Sequence, residues 1–438
     1  MSLARKKAPP PAAPVGMPDA LEVWLDDGTL GDVMHLGRLH RVGRDTVRFE
    51  YSPQWLKHPQ AFSLDPQLVL AEGNFYPTES NFGVFMDSCP DRWGQVLMKR
   101  REQVEAKRQA RSPRNLTTWE YFLGVQDITR MGALRFSPLQ GNVSLKKGKA
   151  PVFNAADCLA NEALSAPAIT RIGELQQVAC ELTRKKVDDM ELLQQWLRVL
   201  VAPGASLGGA RPKANLQDSQ SNLYIAKFPA HDDEHDWALR EMLMHDLARE
   251  FGLAVSPAHL ERIGTGYHTF VTLRFDRAGG RRRFFISAMA LLDRAESEGA
   301  SYLDLAEVIA SRGDPAHIVD DLREIFRRAL FNVATANRDD HLRNHGFLWT
   351  ARGLRLAPAY DMNPSTRKDA HVLMLDAESA IPDLKTVMAS AEFYRVTAPQ
   401  AQEDLSKLNG VMGTWQVKGK QMKLAAEDIL ELSNCFMV

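Results

Sequence analysis

The stretch Asn337-Arg338-Asp339-Asp340-His341-Leu342-Arg343-Asn344 decides how the rest of this sequence is read. Before it, Leu322, Phe326, Ala329 and Val333 fall at helical spacing and predict one apolar stripe. Asn337 suits the end of that helix, so the polar octet is a loop, where groups that do chemistry commonly sit. After it, residues 347–349 and 354–356 predict two antiparallel strands around a turn at 350–353. A hairpin returns the chain to the end it started from, which predicts Asp339, Asn344 and Asp361 close together. Two carboxylates and an amide oxygen are a hard-oxygen set suited to Mg²⁺ and its phosphate ligands. The competing reading is an Asx-rich turn that binds nothing. His341 and His345 stand four apart, but on a loop and without the glutamate of a His-Glu-x-x-His helix, so zinc is not expected.

Upstream lie two weaker signals that reinforce each other. Trp237, Met244, Ala248 and Phe251 mark one helical face over 237–251, and Glu241 falls on that same face. A carboxylate there is costly unless it is paired or reaches water. Lys227, at the end of a strand predicted over 223–226, is a candidate partner, and kinase-like folds use such a pair to hold ATP phosphates. Just before that strand runs Ser206-Leu207-Gly208-Gly209-Ala210-Arg211-Pro212-Lys213. Its glycines let backbone N–H groups approach phosphate oxygens, although a plain tight turn explains them equally well. It is not a Walker A loop, because Ala210-Arg211 stand where Lys and Ser/Thr belong.

Composition sets the frame. The chain has 438 residues, 45% hydrophobic and 25% charged, ample for two or three domains around substantial cores. A net charge of −1 excludes a globally polycationic nucleic-acid binder. No apolar run is long enough for a membrane-spanning helix. Arg5, Lys6 and Lys7 are followed by proline-rich sequence where a signal peptide needs an apolar core, so export is not expected. Cys89, Cys158, Cys180 and Cys435 are scattered, which fits packing thiols in a reducing cytoplasm.

The remaining chain divides by texture. Residues 1–18 read as a flexible, proline-rich tail. Strands are predicted over 23–25, 33–39 and 46–51, with a turn at Asp26-Asp27-Gly28, giving a small antiparallel sheet. Residues 92–114 carry eight Lys/Arg against two Glu and predict a helix ending at Ser112-Pro113. Its basic face is either simply solvated or a docking surface for nucleic acid or an acidic partner. A loop is expected over 138–152, a helix over 174–201, a strand over 269–275, and mostly helix over 301–337 and 384–434. His231 and His235 read as a solvated loop.

Taken in order, these parts resemble the HipA family of toxin serine/threonine kinases, over most of the chain from Leu21 onward. Asn337 to Asn344 matches the family's Asn-x-Asp-Asp-His-x-x-Asn motif, and Ala357-Pro358-Ala359-Tyr360-Asp361 matches another. Phe85-Met86-Asp87-Ser88-Cys89-Pro90-Asp91-Arg92-Trp93-Gly94 is similar to its N-terminal segment, and Met131-Gly132-Ala133-Leu134-Arg135-Phe136 to its Gly-Ala-Leu motif. The loop departs from the family's common Gly-Ala-Gln-Glu-Lys, with Arg211-Pro212 in the middle. Leu273 stands where the family often has Glu.

The resemblance implies an α+β, protein-kinase-like fold of two lobes with an N-terminal β-rich subdomain. The expected order is the tail, a subdomain over 19–150, a small-lobe-like region over 151–275 and a helical lobe over 276–438. It implies Asp339 as the group that orients and deprotonates the acceptor hydroxyl, and Asn344 and Asp361 as Mg²⁺ ligands. Lys227, Glu241, Gly208, Gly209, Lys213, Phe275 and His341 are implied at the ATP site, and Ser206 as an autophosphorylated residue. It further implies a toxin–antitoxin module: a HipB-like helix-turn-helix antitoxin, operator DNA reached mainly through it, and an aminoacyl-tRNA synthetase, such as glutamyl-tRNA synthetase, as substrate. The residues alone leave open a small-molecule phosphotransferase, or a silent co-repressor that acts only through its antitoxin.

Overall fold

The computed structural model describes residues 17–139, 151–159, 166–183, 211–264 and 266–437. Residues 1–16 of the expected tail, the second half of the helix expected over 174–201, and Ser206, Gly208 and Gly209 lie outside the described residues.

The chain opens with an antiparallel sheet: β1 (Ala20–Leu25), β2 (Met34–Val42), β3 (Thr46–Tyr51) and β4 (Leu134–Pro138), in the order β3-β2-β1-β4. In β3, Val47, Phe49 and Tyr51 alternate inward, as a strand with one buried face requires. Three of these strands were expected. The fourth, β4, arrives some hundred residues later, on the Gly-Ala-Leu motif, and completes the sheet beside β1.

The basic segment forms helix α1 (Arg92–Arg108), capped by the Asp91 carboxylate accepting from the Gly94 N–H at 2.7 Å. It is not simply a solvated helix. Trp93, Leu97 and Val104 are buried against Leu175, Val178 and Leu182 of α2 (Ile172–Thr183) and against the second sheet. Glu102 turns inward and receives Arg111 and the Arg114 N–H, while Lys99, Arg101, Lys107 and Arg108 stay exposed.

The second sheet is antiparallel, with strands β5 (Lys213–Gln217), β6 (Leu223–Lys227), β7 (Ala258–Glu261) and β8 (Thr269–Leu273) in the order β5-β6-β8-β7. Between β6 and β7 runs α3 (Trp237–Phe251), started by Asp236, which accepts from the Leu239 N–H at 3.1 Å. Gly252 ends it at φ 98°, a left-handed conformation that glycine adopts without strain. A two-residue ribbon, β9 (Arg277–Ala278) with β10 (Arg281–Arg282), leads to a third sheet. Its strands are β11 (Phe285–Ser287), β12 (Gly346–Thr350) and β13 (Gly353–Leu356), so the expected hairpin at 347–356 is present.

The rest is mostly helix, built around α4 (Ile318–Ala334) and closed by α5 (Ala426–Ser433). Helix α5 is held to α3. Fully buried Arg240 donates to Asp428 and, at 2.5 Å, to Glu431, and His235 Nδ1 lies 2.7 Å from Asp428. His235 is therefore packed against the C-terminal helix, not part of a solvated loop. The architecture is α+β and two-lobed, with the added N-terminal sheet.

One buried cluster joins that added sheet to the segment between the lobes. Arg274 and Asp276 are both fully buried and bonded to each other at 2.7 and 2.9 Å. Arg274 also donates to the carbonyl of Thr129 at 2.8 Å, and Asp276 accepts from the Gly132 N–H at 2.8 Å. Burial alone would raise the Asp276 pKa, but Arg274 and Arg277 outweigh it and hold it well below the usual carboxylate range. A pKa lowered by folding adds stability above the unfolded value of about 3.9, and the gain is lost as pH falls through the folded one. Asp276→Asn leaves two buried cations short of their anion and is expected to cost about 3–5 kcal/mol in urea unfolding at neutral pH. The difference between wild type and variant should shrink below pH 4.

Candidate active site

The strand β6 ends at Lys227, whose ammonium lies where three elements meet. Its Nζ donates to Glu241 Oε1 of α3 at 2.6 Å and to Asp361 Oδ1, beyond β13, at 2.6 Å. The helix face that carries Glu241 points to the strand that carries Lys227, so the carboxylate on the apolar stripe is paired. Burial would depress the Lys227 pKa, but the Asp361 and Glu241 carboxylates outweigh it and hold it above the ordinary lysine value. Burial, with the Asp361 charge nearby, holds Glu241 above its ordinary value. Asp361 is held below its own, because Lys227 and then Lys213 outweigh burial. Asp361 is thus the firmer anion of the two.

Lys213 is not part of a loop, as the sequence suggested, but opens β5 directly opposite Lys227 in the sheet register. Its Nζ bonds Asp91 Oδ2 at 2.8 Å, and its carbonyl accepts from Trp93 Nε1 at 3.0 Å. Two residues of the N-terminal Pro-Asp-x-Trp-Gly motif therefore fix the exit of the segment that begins at Ser206. Arg211 points away, to Asp233 and the Trp237 ring.

The polar octet is held from below by Asp340. This buried carboxylate accepts from Tyr302 Oη at 2.6 Å and Asn332 Nδ2 at 2.9 Å, and lies 2.8 Å from His345 Nε2. Asn337 Nδ2 in turn donates to Asn332 Oδ1 at 3.0 Å. With its neighbour anchored, Asp339 stands out of the loop, its side chain 59% exposed, paired with the Lys368 ammonium. Asn344 ends a short 3₁₀ turn (Leu342–Asn344), and its buried Oδ1 has no hydrogen-bond partner among the described residues. Tyr360 Oη donates to the Arg343 carbonyl at 2.6 Å, which joins the residue before Asp361 to the residue before Asn344. Asp361 has φ 57°, an uncommon conformation for a residue other than glycine, and such strain concentrates at functional sites.

A cavity opens beside this junction. Lys227, Glu241, Leu273, Phe275, Tyr360 and Asp361 are among its walls. Phe275 and Tyr360 stack with ring centroids 5.5 Å apart and planes 30° apart, an aromatic pair on one wall of the cavity. Asp339, His341, Asn344 and Lys213 do not line this cavity, although His341 and Lys213 act electrostatically on Asp361 from nearby. An amide oxygen without a partner among the described residues, linked to Asp361 through the Arg343–Tyr360 contact, fits a hard divalent cation such as Mg²⁺.

Several residues here escaped the sequence reading. Asp340, Tyr302 and Asn332 form a buried network whose members are far apart in sequence. The doubled Asp339-Asp340 was a signal, since adjacent loop residues seldom face the same way. Asp91 was visible only as part of a motif, and Lys368 carried no signal at all.

Two lobes around a cleft, a strand lysine held by a helix glutamate, and an Asp…Asn loop beside a second aspartate define a protein of kinase-like architecture. Residues 21–117 match the family described as HipA N-terminal domain, and residues 205–422 the one described as HipA-like C-terminal domain. The chain belongs to the HipA family. The serine/threonine-protein kinase toxin HipA of Shewanella oneidensis is 26% identical over 193 residues, 36% of this chain. The match spans only 43% of that relative's length. A solved complex of HipA, HipB and operator DNA from Shewanella oneidensis MR-1 shares the fold, with a TM-score of 0.64 at 17% identity over 94% of each chain.

The Asp91–Lys213 contact makes a prediction of its own. Asp91→Asn keeps the helix cap, since asparagine caps as well as aspartate, but removes the anion beside a buried ammonium. A loss of about 1–3 kcal/mol is expected in chemical denaturation, and an Asp91→Asn protein as stable as wild type would contradict the pairing.

Proposed function

We propose that this chain is a serine/threonine kinase that transfers the ATP γ-phosphoryl group to a protein hydroxyl, as the toxin of a type II toxin–antitoxin pair. The junction of Lys227, Glu241 and Asp361 next to the cavity carries this reading. It offers phosphate oxygens a buried cation, while Phe275 and Tyr360 offer a base an aromatic wall. Lys227 binds and orients the phosphates, and Glu241 keeps Lys227 extended toward them. Lys213, held by Asp91 opposite Lys227, adds positive charge beside Asp361; the family resemblance assigns Gly208 and Gly209 to the phosphates, and His341 to the transfer site. Asn344 and Asp361 would hold Mg²⁺, which would supply positive charge to the phosphate oxygens. Asp339 accepts the proton of the incoming hydroxyl. Positioning and electrostatics do most of the work in such a transfer.

The exposure of Asp339 favours a macromolecular acceptor over a small one, because a small substrate needs a pocket that encloses it. The acceptor we propose is a protein of translation, an aminoacyl-tRNA synthetase such as glutamyl-tRNA synthetase, with Ser206 phosphorylated in cis or trans. The fold shared with a HipA solved together with HipB and operator DNA supports a HipB-like antitoxin, and DNA contact mainly through it.

Incubation with Mg²⁺-ATP, followed by mapping of phosphate by mass spectrometry, tests the reading. Wild type should gain phosphate on serine or threonine. Asp339→Asn should lose about 10²- to 10⁴-fold in rate with its fold and ATP binding intact. Equal phosphorylation by the variant would remove Asp339 from the mechanism.

A further inference from the structure

The segment after Asp361 is tied to the loop that carries Asp339. Ser365 donates its N–H to the Ala336 carbonyl at 2.8 Å, and Val372 donates its own to the Arg338 carbonyl at 3.0 Å. Between these two ties, the Arg338 guanidinium grips the Lys368 carbonyl, and the Lys368 ammonium pairs with Asp339 Oδ1. Lys368 is thus presented to Asp339 by a strap fastened at three points, not left as a free surface side chain. Its side chain is 42% exposed and has room to swing.

The other lysines near the junction are committed. Lys227 is held by Glu241 and Asp361, and Lys213 by Asp91. Among the described residues, Lys368 is the one cation paired with Asp339. An acceptor hydroxyl must sit between Asp339 and the γ-phosphorus, so a cation at Asp339 stands beside the oxygens on which charge gathers during transfer.

We propose that Lys368 is a catalytic cation: it clasps Asp339 in the structure described here and moves to the transferring phosphoryl oxygens when ATP and acceptor fill the cleft. This rests on the kinase reading above. The acceptor oxygen–phosphorus bond forms as the bond from the γ-phosphorus to the bridging oxygen of ADP breaks. The hydroxyl proton passes to Asp339, and the Lys368 ammonium keeps its protons and contributes charge alone. The clasp also keeps Asp339 from acting as a base before the acceptor arrives.

Steady-state phosphorylation by wild type, Lys368→Ala and Lys368→Arg, with ATP affinity measured by calorimetry, tests this. Lys368→Ala should lower kcat about 10- to 100-fold, on the scale of other charge-stabilising groups, and leave ATP affinity within about threefold. Lys368→Arg should recover most of the rate, since it restores the charge. Wild type and Lys368→Ala equally fast, or Lys368→Ala faster, would overturn the proposal and leave the kinase reading standing. A rate loss in Lys368→Ala that arginine does not recover, or that follows a fall in melting temperature, would also overturn it. No transfer by wild type would overturn the kinase reading, and this proposal with it.

Discussion

Lys227 is a buried ammonium held by two carboxylates, and most of the molecule is arranged to bring those three groups together. Its strand is central in the second sheet, Glu241 comes from the helix packed on that sheet, and Asp361 comes from the far lobe. A buried charge of this kind is tolerated only if its partners are fixed, because removing one leaves the others desolvated and unpaired. The surrounding structure supplies that rigidity. Helix α3 is capped at both ends and tied to α5 through Arg240, so Glu241 cannot drift. Asp361 is set by the β12–β13 hairpin and the Tyr360–Arg343 contact.

The N-terminal subdomain takes part in the site without lining it. Gly132 anchors Asp276, one residue after Phe275, and Asp91 and Trp93 hold Lys213, opposite Lys227. Both N-terminal motifs therefore have a physical role: they fix the segment between the lobes and the start of β5. With Lys213 included, two ammoniums face three carboxylates across this region, an excess of negative charge that suits a cation-dependent phosphate ligand.

Much of this was legible in the sequence, and the reason is periodicity. The stripe through Trp237, Met244, Ala248 and Phe251 marked Glu241 as a carboxylate on an apolar face in need of a partner, although most sides of α3 are buried. The hairpin at 347–356 predicted that Asn344 and Asp361 would return to one end, near Asp339, and the Tyr360–Arg343 contact joins the neighbours of the first two. What was hidden lay in long-range pairing. Strand β4 joins β1 across more than a hundred residues, and no local pattern announces such a partner. Asp340, Asn332 and Tyr302 form one buried network, but each alone reads as an ordinary polar residue. His235 looked solvated because its partner, Asp428, lies near the other end of the chain.

We read Lys227 as the phosphate-binding cation of a nucleotide cleft. Isothermal titration of ATP into wild type and Lys227→Met, with and without Mg²⁺, addresses that claim directly. One ATP should bind per chain, Mg²⁺-dependent, with affinity reduced at least tenfold in Lys227→Met. Equal ATP affinity for the two proteins, or binding indifferent to Mg²⁺, would contradict it.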